Sequence, residues 1–86
     1  MLDFADLVDQ LECAGVVIEG RATLLDRCAV AASWREEFAV LAARGRKEGV
    51  CFVSRLVDAQ LLRRIVRGYD LAPAQEYAVL GSVGAI

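Results

Sequence analysis

The chain contains no histidine. That removes the commonest general base, the usual partner of a nucleophilic serine or cysteine, and the usual zinc ligand. Neither GxGxxG nor GxxxxGK[ST] is present, so no glycine-rich loop is set to cradle a phosphate. The cysteines are Cys13, Cys28 and Cys51, 15 and 23 residues apart. No CxxC pair exists to seed a zinc or iron–sulfur centre, and an odd, widely spaced set reads as reduced thiols. Glu36–Glu37 and the aspartates at 3, 6 and 9 supply carboxylates, but exposed helix carboxylates ordinarily serve solvation. These absences predict no catalytic residue, no cofactor and no metal.

Long apolar runs are missing too. The longest uncharged stretches are residues 28–34 and 77–86, far short of the ~20 apolar residues of a membrane span. The opening MLDFADLVDQ holds three aspartates and no basic residue, which predicts that it is not a signal peptide. With the reduced cysteines, this predicts a cytoplasmic protein.

Apolar residues make up 57% of the 86 residues, and the mean hydropathy is +0.43. A domain this short buries a modest share of its surface. Surplus apolar area is therefore expected to meet a partner polypeptide or a second copy, giving a homodimer. Charge is segregated. Residues 1–20 carry Asp3, Asp6, Asp9, Glu12 and Glu19 with no Lys or Arg, whereas Arg46, Lys47, Arg55, Arg63, Arg64 and Arg67 cluster later. The two regions can attract each other within one chain or between two.

Phe4, Leu7, Val8, Leu11 and Ala14 recur on one helical face over residues 3–14. Asp3 is placed to cap that helix and Gly15 to end it. Val16–Ile18 and Ala22–Leu25, bending at Gly20, predict a β-hairpin. Ser33 with Glu36 matches a capping box for a helix over 33–44, carrying Trp34, Phe38, Leu41 and Ala42 inward and ending at Gly45. Trp34 reads as a core anchor. VCFV (50–53) fits a short strand or a helix entry. Ser54 is expected to cap a third helix through Arg67, with Gly68 as its stop. Pro73 is expected to open a short fourth helix ending near Leu80.

The predicted fold class is α+β: a small, mostly helical domain in the order helix, β-hairpin, helix, helix, with a short C-terminal helix. One domain covers 1–86, with a helix–hairpin–helix core over 4–52 and a helical extension over 53–86.

The order in FADLVDQLECAGVVIEGRATLLD and SWREEFAVLAARGRKEGV resembles the N-terminal docking domains of the tubulysin-synthetase (TubC) type. The features that carry this are an opening amphipathic helix ending in Gly15-Val16, a hairpin bending at a glycine, and a second helix rich in Ala, Glu and basic residues. In place of that family's Pro/Gly-containing connection stands CAVAAS. The resemblance implies an αββα-type core, self-association, and a hairpin edge that receives a peptide tail along Val16, Ile18, Thr23 and Leu25; Arg21, between the two strands, is also expected to contact the partner.

Three functions follow as expectations. The first is a non-enzymatic protein–protein interaction module that uses the hairpin edge or a helix face. The second is an inhibitor or regulator carried by a phage or mobile element, anti-CRISPR- or antitoxin-like. It would engage a basic surface through Asp6, Asp9 and Glu12. The third is a weak nucleic-acid binder using Arg63, Arg64 and Arg67. A pI near 5.0 argues against the third, because such binders are usually basic.

Overall fold

The computed structural model describes residues 3–53 and 56–84. The first helix, α1, is Phe4–Cys13. Its start is a reciprocal capping box. The Asp6 amide donates to Asp3 Oδ1 at 3.0 Å and the Asp3 amide donates to Asp6 Oδ2 at 3.2 Å, which satisfies two otherwise orphan donors. Leu7, Val8 and Leu11 face inward and are fully buried. Gly15 follows at φ +102°. A side chain there would also strike the Leu56 carbonyl oxygen, 2.5 Å from an ideal Cβ, so the chain turns at a glycine for two reasons.

Strand β1, Val17–Glu19, comes next. The predicted return strand does not follow it. Residues Arg21–Val30 form a helix, α2, and the strand partner lies some thirty residues on. Strand β2, Cys51–Val53, pairs antiparallel with β1, matching Val17 with Val53, Ile18 with Phe52 and Glu19 with Cys51. The reason lies in the spacing of the apolar residues after Gly20. Leu24 and Cys28 stand one helical turn apart, and both are buried. The ribbon therefore closes across the molecule and not across a local turn.

Helix α3, Trp34–Arg44, starts where expected, with Ser33 Oγ accepting from the Glu36 amide at 3.4 Å. It ends at Gly45, and a short 3-10 turn over Gly45–Glu48 leads into β2. Helix α4, Ala59–Arg67, begins later than expected. Its cap is Asp58, whose Oδ1 accepts from Gln60 and Leu61 at 3.1 Å each. The predicted cap, Ser54, lies outside the described residues. Asp70 takes a left-handed φ of +54°, which the short polar side chain tolerates. Helix α5, Pro73–Ser82, opens on its proline and runs past Gly81.

The result is a small, mostly helical α+β domain. One buried cluster joins all the helices: Leu7 and Leu11 of α1, Leu24 of α2, Phe38 and Leu41 of α3, Leu62 and Val66 of α4, and Val79 of α5. At its centre Phe38 meets Phe52 of β2, ring centroids 5.5 Å apart and tilted by 59°. The radius of gyration is 11.3 Å, slightly under the ~12 Å typical of a chain this long. Among the described residues, the large apolar side chains left in water are Val17, Val30, Val40, Leu56 and Tyr77. Most of the apolar excess read from composition is thus inside, and the remainder is local.

Candidate interaction surface

β1 owes its position to the turns that bracket it. Gly15 swings the chain off α1, Val16 drives into the core with 2% exposure, and Gly20 at φ +78° releases the chain into α2. Between them the side chains alternate as strand geometry requires. Val17 is 60% exposed, Ile18 is half-buried, and Glu19 is exposed. One long edge of β1 pairs with β2. The other makes no backbone ladder among the described residues, because the sheet has two strands. An unpaired edge of this kind presents free N–H and C=O groups in a row.

A second exposed apolar side chain lies on the paired side of the ribbon, past the end of β2. The Leu56 backbone presses on Gly15, and the Leu56 side chain is 91% exposed. Val17 and Leu56 therefore flank the same end of the ribbon, with Val53 half-buried as the ladder partner of Val17.

The residues singled out from sequence separate into groups. Ile18 is on the open strand. Val16 is not peptide-facing, since alternation sends it to the core. Thr23 and Leu25 are not edge residues; they belong to α2, Thr23 exposed and Leu25 half-buried. Arg21, Asp9 and Glu12 do come together. Arg21 pairs with Asp9 at 2.9 Å and with Glu12 at 2.7 Å. These bonds hold the start of α2 against the end of α1 and raise the Arg21 pKa, chiefly through the Glu12 hydrogen bond. Two of the three acidic groups assigned to an external basic surface are thus answered within the chain. Asp6 stands apart, in the capping box. Val17 and Leu56 escaped the sequence reading. For Val17 the signal was available, because residues i and i+2 of a strand share a face, so Val16 and Ile18 inward imply Val17 outward.

A second surface is basic. Gln60, Arg63, Arg64 and Arg67 recur at helical spacing along the exposed side of α4 and line one shallow groove. Arg55, grouped with them from sequence, lies outside the described residues.

Concavities also occur elsewhere among the described residues. A cleft of about 470 Å³ lies between the start of α1 and the α2–α3 connection, with Phe4, Ser33, Trp34 and Arg35 on its walls. Trp34 is half-buried there, its ring 6.3 Å from Phe4 and capped by the Arg35 guanidinium at 4.5 Å. A groove of about 400 Å³ between α3 and α5 is floored by Ala42, Ala74, Ala78 and Gly81, with Tyr77 at its rim.

The thiols separate by environment. Cys28 is buried, and burial followed by the nearby Glu37 charge pushes its pKa up to about 11. It stays protonated at neutral pH, and a thiol is a poor nucleophile. Cys13 is exposed and Cys51 half-buried, and all are free. Among the described residues no group of three His, Cys, Asp or Glu is placed to hold a metal ion, and no helix is long and apolar enough to cross a membrane.

Compared with known protein families, curated proteins and solved structures, the chain matches none of them.

Proposed function

We propose that this protein is a small, non-enzymatic interaction module that takes up an extended segment of a partner polypeptide along the outer edge of β1. It works in the cytoplasm, a reading supported by its three free thiols. The observation that carries the proposal is the open edge itself: a strand with one side unpaired, carrying the exposed side chain of Val17. Main-chain hydrogen bonds to an added strand give affinity, and contacts to alternate side chains give selectivity. Here the alternate contacts are Val17 and Glu19 on the outer face and Ile18 on the inner. The partner's strand would carry an apolar side chain opposite Val17. The peptide-accepting edge implied by the docking-domain resemblance is retained in this reading, but its partner strand within the chain is β2.

The test is affinity capture from the native host with the wild type and with Val17→Lys. A lysine on an edge strand discourages strand addition, and residue 17 is exposed enough to accept it without disturbing the core. Captured partners should be lost with Val17→Lys. In the complex, the backbone amides of residues 17–19 should exchange more slowly with solvent than in the free protein. Protection gained elsewhere, with residues 17–19 unchanged, rejects the β1 edge as the binding surface.

A further inference from the structure

The acidic and basic regions of the sequence lie on neighbouring helices. α1 and α4 pack side by side. The Asp58 amide donates to the Ala14 carbonyl at 3.2 Å, so the start of α4 sits at the end of α1. At the other end, Arg35 shares a cleft with Asp3 and Phe4 and donates through Nε to the Tyr69 carbonyl at 3.0 Å. Tyr69, just past α4, also feels the carboxylates of Asp6, Asp3 and Asp9, which add to burial in raising its pKa. The helices are therefore antiparallel, and Asp6 on α1 stands level with the last turn of α4.

Asp3, Asp6, Asp9 and Gln10 are exposed on α1; Gln60, Arg63, Arg64 and Arg67 are exposed on α4. Among the described residues no carboxylate lies within ion-pair distance of Arg64 or Arg67, and no cation within that distance of Asp3 or Asp6. We propose that the paired helices α1 and α4 form a self-complementary face that binds a second copy of this chain about a two-fold axis parallel to the helices.

The symmetry selects that axis. Rotation about a line midway between two antiparallel helices, and parallel to them, lays α1 of one copy on α4 of the other. Directions stay antiparallel and levels are kept. Asp6 of each copy then faces Arg64 and Arg67 of the other, so the contact is made twice, as an isologous interface requires. An axis across the helices would instead stack α1 on α1, acid on acid. A nucleic acid fits less well. The ridge from Gln60 to Arg67 is about 10 Å long at the helical rise, the net charge is −2, and a longer polyanion would meet the carboxylates of α1. The partner is an acidic helix of matching length, and this chain supplies one.

The interface is polar at the surface, so association is weak and salt-sensitive. Sedimentation velocity of the full chain should show a monomer–dimer equilibrium at about 25 mM salt that moves to monomer near 300 mM, where the screening length is much shorter. Arg64→Glu/Arg67→Glu should weaken dimerisation by at least ~10-fold, because like charges then oppose each other twice. Adding Asp6→Lys to that variant should restore the dimer to within ~3-fold of the wild type, since opposite charges meet again. Gln10→Lys in the same background offers the rescue without touching the capping box, and circular dichroism checks that each variant is folded. A wild type that stays monomeric at low salt, charge-reversal variants that dimerise normally, or rescue by neither lysine each overturns the proposal. So does tight binding of a fluorescein-labelled oligonucleotide that Arg64→Glu/Arg67→Glu abolishes while no dimer forms, which assigns the ridge to nucleic acid. None of these variants alters β1, so the dimer can fail while the strand-addition reading stands, and the reverse.

Discussion

β1 and β2 are three residues each and joined rung for rung, yet they live in different surroundings. β2 has α3 and the 3-10 turn packed against it, its Phe52 is 6% exposed against Phe38, and the residue before it, Val50, is fully buried. β1 has β2 on one side and no strand on the other among the described residues, with Val17 60% exposed. Both strands carry side chains that favour a sheet, Val17 and Ile18 in β1 and Phe52 and Val53 in β2. The difference teaches that a strand's neighbours decide its environment. α3 covers β2 through the contact of Phe38 with Phe52, and among the described residues no strand pairs with the outer edge of β1.

The largest expected effect tests that contrast directly. Phe52→Ala removes a buried ring from the centre of the core and should cost about 3–5 kcal/mol. That is a large part of the ~5–15 kcal/mol margin of a small domain. Val17→Ala on the paired strand should change stability by no more than ~0.5 kcal/mol, as surface substitutions do. Urea denaturation followed by circular dichroism gives both values. Equal costs at the two positions would mean that β1 is covered as fully as β2 and would remove the open edge.

A smaller effect sharpens the same contrast at the ends of the ribbon, where Gly20 leaves β1 and Gly49 enters β2. Both have positive φ, +78° and +74°. An ideal Cβ at Gly20 lies 2.0 Å from the Gly49 carbonyl oxygen, whereas one at Gly49 has nothing within 4 Å. Gly49→Ala should therefore cost only the left-handed penalty, about 1 kcal/mol. Gly20→Ala adds a clash with backbone that cannot yield, and about 2–4 kcal/mol is expected by the size of such strain. Thermal unfolding of the two variants separates these values. Matching losses would show that the Gly20–Gly49 contact is not what brings the strands together.

That contact also explains what the sequence could and could not disclose. Local signals read correctly: Asp3 and Ser33 as caps, Gly15, Gly45 and Gly68 as stops, Pro73 as a helix opening. Each works within four residues of itself, so its physics is contained in the string. The hairpin failed because Gly20 in a left-handed conformation serves equally well as a β-turn or as the entry to a helix. The choice was made by Gly49, by Leu24 and Cys28 finding the core, and by β2 arriving from thirty residues away. The start of α4 was ambiguous for a related reason, since Ser54 and Asp58 are both good caps. Asp58 also places its amide on the Ala14 carbonyl, a contact no local pattern contains. Of the candidate surface, Ile18 and the Asp9–Glu12–Arg21 grouping were legible. Val17 was legible from the alternation of Val16 and Ile18, whereas Leu56 was hidden by its place in a connection.

The smallest effect concerns the arginine clamps behind each strand. Arg21, just after β1, bridges Asp9 and Glu12 at the surface, its side chain 44% exposed. Arg27 bridges Glu37 and Glu48 from α2, and Glu48, 24% exposed, lies one residue before Gly49 on the approach to β2. Arg44 adds a longer contact to Glu48 at 3.5 Å. The Arg27 hydrogen bond, then the charges of Arg27 and Arg44, hold the Glu48 carboxyl below its ordinary 4.5. A carboxyl whose folded pKa is depressed stabilises the fold in full above its unfolded pKa, and that contribution is lost as pH falls through the folded value. Wild-type stability should therefore be flat from neutral pH to about pH 5 and decline below it. Glu48→Gln should be less stable at pH 7 and decline less steeply, so that the two curves converge in acid. Urea midpoints measured from pH 7 to pH 3 decide it. Curves that stay parallel would show that Glu48 contributes nothing that titrates, and the covered strand would then owe its position to Phe52 and Val50 alone.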